Sequence, residues 1–121
     1  MNLEYKLEAK LLVIEKKLIK SKQALSYLQE IIHKIKKSVK DETVKQIYIR
    51  KELEVKNIEL LIKKYSNELS IYIRHKDIIT ENQKSIYKVV AFLDELNDRI
   101  VDTVATLQSM IIYLEHSDYI N

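Results

Sequence analysis

Neither glycine nor proline occurs anywhere in the 121 residues, although average usage would supply roughly eight of one and six of the other. Glycine enters positive-φ turns without a steric penalty and proline pre-sets rigid ones, so tight hairpins, β-bulges and glycine-capped helix ends lose their usual residues. Sandwiches, barrels and Rossmann-type units need many tight turns and are disfavoured. Glycine-rich phosphate cradles are excluded, because no glycine exists to form one. Helix is what remains. At 46% apolar and 32% charged residues the chain is too apolar for disorder. Its length suits one domain, spanning 1–121, able to bury about two thirds of its unfolded surface.

Apolar residues then recur every three or four positions. The first row is Leu7, Leu11, Ile14, Leu18, Ser21, Leu25, Leu28, Ile32, Ile35 and Val39. Its alternating spacing is the a/d heptad of a coiled coil, with Leu11, Leu18, Leu25, Ile32 and Val39 at a. Beyond Val39 the register fails and a second row begins: Val44, Tyr48, Lys51, Val55, Ile58, Ile62, Tyr65, Leu69, Tyr72. A third follows: Ile86, Val90, Leu93, Asn97, Ile100, Val104, Leu107, Ile111, Leu114. Two capping boxes, Thr43-Val44-Lys45-Gln46 and Thr80-Glu81-Asn82-Gln83, mark helix starts between the rows. The predicted helices are about 3–39, 44–76 and 81–116, with a turn at about 40–43.

The stripes are wider than a/d alone. Ala24 and Ile31 extend the first, Ile47 and Leu61 the second, and Val89, Leu96 and Met110 the third, all at g. Three apolar positions per heptad suit a globular bundle better than a two-stranded rope. The predicted fold is therefore all-α, an antiparallel up-down-up three-helix bundle with coiled-coil-like heptad seams. The rival is a turn that opens, fusing two helices into a domain-swapped dimer. Among the polar seam residues Ser21, Lys51 and Asn97, Asn97 is the candidate register residue, since a misaligned neighbour would leave its amide unpaired.

Charge is uneven: +6 over residues 1–40, +1 over 41–79 and −4 over 80–121. Attraction between a basic first helix and an acidic third accounts for the gradient by biasing register. The alternative is a face for an anionic partner made by Lys16, Lys20, Lys34, Lys36, Lys37 and Lys40. Such lysines grip nucleic-acid phosphates without reading sequence. With three Arg against eighteen Lys, bidentate base reading has little to work with. Eighteen Ile against four Ala point to an AT-rich coding genome, as in a virus or plasmid.

No residue set declares an enzyme. Absence of Cys removes disulfides, Cys-zinc sites and thiol catalysis and fits a reducing, cytoplasmic setting. The longest uncharged run, Thr103 to Leu114, is too short to span a bilayer. A charged start, Met1-Asn2-Leu3-Glu4, is unlike a secretory leader. Glu30-Ile31-Ile32-His33 has the Glu-x-x-His spacing of di-iron bundles, but there is one copy and both ligands fall at outward positions. His75 and His116 sit near helix ends, where a cation complements the dipole. No cofactor or metal is expected.

The segment His33-Lys34-Ile35-Lys36-Lys37-Ser38 resembles the phosphotransfer motif of histidine phosphotransfer domains, helical bundles of similar size with an exposed His. The likeness covers His33, an apolar residue two later, a Lys three later and a Ser five later. It would make His33 the phosphorylated residue. The family has Gly four after the His, where the receiver domain docks; this chain has Lys37.

Helical seams are the developed feature, and seams bury other helices. The expected function is accordingly non-enzymatic: an assembly, adaptor or regulatory protein that associates with itself or with a helical protein partner. The alternative is an accessory factor gripping a nucleic-acid backbone through the first helix. Apolar residues off the seams supply the candidate association surface: Leu12, Val13, Ile19, Ile71, Ile78, Phe92 and Ile112. Leu12 and Ile19 share a face, as do Ile71 and Ile78 if the second helix extends that far.

Overall fold

The computed structural model describes residues 2–117. Among them the protein is all-α, with four helices and no strand: α1 (Leu3–Ser38), α2 (Glu42–Arg74), the short α3 (Lys76–Thr80) and α4 (Gln83–Glu115). The three long helices fall within two residues of the heptad boundaries. None of the described residues has a positive φ, so the chain turns without the left-handed conformation that glycine usually supplies.

Each connection has a local cause. After Ser38 the backbone goes extended at Val39 (φ −80°, ψ 125°), whose N–H still donates to the Ile35 carbonyl. Val39 buries its side chain against the core. The N-cap of α2 is Asp41 rather than the expected Thr43. Its carboxylate accepts from the amides of Thr43 at 2.8 Å and Val44 at 3.4 Å, and a full negative charge suits the positive helix end better than a hydroxyl. The second connection also departs from the heptad reading. Helix α2 stops at Arg74, and His75 (φ −101°, ψ 15°) breaks the ladder. The Ile71 carbonyl accepts from the His75 amide at 3.1 Å and from the ring Nδ1–H at 2.9 Å. The expected cap Thr80 lies inside α3, donating to the Asp77 carbonyl, and Asn82 caps α4 by accepting from the Lys84 amide at 2.8 Å.

Helix α1 is the element against which both other long helices pack. Lys36 to Glu52 at 2.8 Å, Gln29 to Glu59 at 3.1 Å and the Glu8–Lys76 contact run in opposite chain directions on α1 and α2. Lys10–Asp94, Lys17–Asn97 and Tyr27–Glu115 run in the same direction on α1 and α4. By contrast, α2 and α4 approach closely at few points. They are bridged by Glu68–Arg99 at 3.6 Å and by Tyr65, whose hydroxyl reaches the Thr103 Oγ1 at 3.4 Å. Thr103 spends its own hydrogen on the Arg99 carbonyl at 2.9 Å, so Tyr65 is the donor.

This unequal packing sets the core. All ten residues of the first row are buried, Ser21 included. Ser21 satisfies its hydroxyl within α1 by donating to the Leu18 carbonyl at 2.7 Å. In α4 the buried stripe is centred on d and g: Leu93, Ile100 and Leu107 with Val89, Leu96 and Thr103 are buried, while Asn97, Val104 and Ile111 at a are half-exposed. In α2 the expected widening at g is wrong. Ile47 is 50% and Leu61 42% exposed, because the g flank of α2 looks toward α4, the neighbour it touches least.

Candidate association surface

All seven off-seam apolar residues, Leu12, Val13, Ile19, Ile71, Ile78, Phe92 and Ile112, are exposed. The structure does not gather them into one patch. Leu12 and Ile19 lie two turns apart on the flank of α1 that borders α2. Val13 faces the other way and lines, with Tyr5, Ile14 and Leu93, a shallow groove between α1 and α4 of about 280 Å³. Ile71 and Ile78 do not share a helix face, since His75 separates α2 from α3. Phe92 and Ile112 lie twenty residues apart on α4, about 30 Å along the axis.

Heptad reasoning missed a second set, most of it on α2: Ile47, Leu53, Leu60, Leu61 and Ile73 are also exposed, as is Val101 of α4. With Ile71 those of α2 make it the helix richest in uncovered apolar side chains, and its flank toward α4 holds three of them, Ile47, Leu61 and Ile71. The signal was present in the sequence as an apolar count too large for a stripe facing one neighbour. Heptad position assigns Ile47 and Leu61 to the core and places Leu53, Leu60 and Ile73 on no seam. Along the α4 side of the same flank run Phe92, Arg99, Thr106 and Tyr113 at seven-residue spacing. Arg99 meets Glu68 of α2 and Tyr113 shares a hollow with Lys51, so this stripe borders α2 along most of its length.

The lysine face is interrupted. Lys16, Lys20, Lys34, Lys37 and Lys40 are exposed, and no ion pair holds them among the described residues. Lys36 is instead half-buried and paired with Glu52 at 2.8 Å. Lys20 and Lys34 are fourteen residues apart, about 21 Å along α1. Between them stand Gln23, Tyr27 and Glu30, and the Tyr27 hydroxyl donates to Glu115 of α4 at 2.8 Å. That bond, with desolvation and the nearby carboxylates, raises the Tyr27 pKa. The charge gradient yields one α1–α4 ion pair among the described residues, Lys10–Asp94.

Asn97 is half-buried, and its Oδ1 accepts from the Lys17 ammonium at 2.7 Å across the α1–α4 seam. His33 and Glu30 are both exposed on the outer face of α1, as is Lys37 one turn beyond His33. His75 and His116 each cap a helix C-terminus. Among the described residues no cluster of His, Cys, Asp or Glu is arranged to hold a metal ion, and no helix is long and apolar enough to cross a membrane. Compared with protein-family models, curated proteins and solved structures, the chain matches none.

Proposed function

We propose that the chain is a non-enzymatic association protein. Its three long helices form an up-down-up bundle with coiled-coil-like seams, and it works in the cytoplasm by packing against a second copy or a helical protein partner. The observation that supports this is the contrast among g positions: Ile31, Val89 and Leu96 are buried, whereas Ile47 and Leu61 of α2 are exposed. Scattered apolar residues are normal on any surface; six exposed on one helix, Ile47, Leu53, Leu60, Leu61, Ile71 and Ile73, are what support an interface on α2. Light scattering coupled to size-exclusion chromatography tests it. The expected mass is that of a dimer or higher oligomer, or of the monomer converted to a complex by a helical partner.

A second reading is favoured by Lys16, Lys20, Lys34 and Lys37 of α1 and Lys40 just beyond it, all exposed and without an ion pair among the described residues. They would hold a nucleic-acid backbone through phosphate contacts, with affinity that falls steeply as salt rises. Both lysines are exposed, so Lys16→Glu with Lys20→Glu is expected to leave folding intact. Submicromolar DNA or RNA binding at physiological salt, abolished by that pair, would replace association with nucleic-acid binding as the function.

A further inference from the structure

The flank of α2 that looks toward α4 presents a row with alternating three- and four-residue spacing: Ile47, Arg50, Glu54, Asn57, Leu61, Lys64, Glu68 and Ile71. All but Glu68 are exposed, and Glu68 is half-exposed. This is a second row at heptad spacing on α2, separate from the row that faces α1, with three apolar residues, four charged ones and Asn57. Its order is self-complementary. Laid antiparallel on a copy of itself about an axis near residue 59, Ile47 meets Ile71, Arg50 meets Glu68, Glu54 meets Lys64 and Asn57 meets Leu61. In antiparallel coiled coils each a residue forms a layer with a d residue of the facing helix, and these four pairings obey that rule. Two-fold symmetry makes each pairing occur twice, as an isologous interface requires.

We propose that this row is a homodimer interface, in which α2 of a second copy lies antiparallel along the same flank of α2. The proposal rests on the association reading above and names its surface and occupant. Charge argues for a second copy over an unrelated helix. Arg50 and Lys64 have no ion partner among the described residues, Glu54 has only Lys51 at 3.6 Å within its own helix, and Glu68 has only Arg99 at 3.6 Å. Docking a copy supplies a counter-charge to all four. Parallel docking would instead set Arg50 on Arg50 and Glu54 on Glu54, so the charges also select direction. On α4, exposed Tyr113 shares a hollow with Lys51 near the Ile47 end of the row. From Ile47 to Ile71 the row is about 36 Å long. A strip that long and one helix wide falls at the small end of specific interfaces, the size of weak and transient association.

The test is sedimentation equilibrium of the full chain from about 1 to 200 micromolar, a range that brackets a micromolar dissociation constant. Lys64→Glu sets carboxylate against Glu54 at two symmetric points and is expected to weaken the dimer about tenfold or more. Glu54→Lys combined with Lys64→Glu restores the pairing and should return affinity to within about threefold of wild type. Both positions are exposed, so circular dichroism should show unchanged helicity. Direction is read separately, since the chain has no native Cys. Ile47→Cys mixed with Ile71→Cys should form an intermolecular disulfide, whereas Ile47→Cys alone should not, its two copies lying about 36 Å apart in the antiparallel dimer. A dimer indifferent to Lys64→Glu and to Ile71→Asp would overturn this face while leaving self-association standing. A strictly monomeric chain across the range would overturn both this face and self-association, leaving a heterologous partner as the occupant of α2.

Discussion

Leu28→Ala probes the seam where the structure says it is tightest. Leu28 is 0% exposed and sits at d of α1. Its sequence neighbours reach both other long helices: Tyr27 bonds Glu115 of α4, and Gln29 bonds Glu59 of α2. The site is thus held from two sides. Truncation removes three carbon groups at about 0.8 kcal/mol each, roughly 2.4 kcal/mol of lost transfer free energy. Residual cavity adds to that, because two long helices flanking the site limit collapse; the full cost should fall near 3 kcal/mol, inside the roughly 2–5 kcal/mol seen for buried Leu→Ala changes. Leu25→Ala, also buried, should behave similarly. Leu60→Ala, at 61% exposed, should stay within about 0.5 kcal/mol. Urea titration followed by circular dichroism measures all three, at concentrations low enough that dimerisation does not contribute. The midpoint should move and the slope should not. If Leu25→Ala and Leu28→Ala each cost less than about 0.5 kcal/mol, the heptad seam is not what holds α1, and the packing argument fails with it.

Three further outcomes follow from particular contacts. Asp41→Ala should destabilise by about 1 kcal/mol and Thr43→Ala by much less, since Asp41 and not Thr43 holds the free amides of α2; equal costs would return the cap to Thr43. Lys17→Met and Asn97→Ala remove the two ends of one cross-helix bond, so the double variant should cost clearly less than the singles together, with a coupling of about 0.5 kcal/mol or more in a denaturant cycle. Strict additivity would show that the bond does not form in solution. Burial and the neighbouring Glu68 raise the Tyr72 pKa above its ordinary 10.0. With the folded value above the unfolded one, the contribution of Tyr72 is intact below about pH 10 and is lost as pH rises through the folded value. Alkaline melts of Tyr72→Phe should therefore decline less steeply than wild type, and parallel curves would refute the assignment.

How much of this was legible in the sequence depended on how many sides of a helix are covered. On α1 the a/d row coincides with burial at every position, because α2 and α4 flank it and nothing on the inner face is left over. On α4 one flank dominates, so burial shifts toward d and g, and Asn97 ends half-exposed beside Lys17. A heptad records the period of apolar residues but not the direction from which a neighbour arrives. The heptad reading places the connection between α2 and α4 at about 77–80; its earlier start, at His75, and the short α3 escape it for a related reason. The break at His75 has no glycine or proline to announce it, and Ile78 and Ile79 continue an apolar pattern across it.

Helix α2 shows the same limit turned to use. Ile47 and Leu61 read as core residues because apolar side chains at g normally widen a buried stripe. In the folded chain α4 stands too far off to cover them, so two of the side chains that the pattern marks for burial remain outside. The misplaced core residues lie on one face with Arg50 and Lys64, which have no ion pair among the described residues, and the proposed second α2 running the other way would satisfy both.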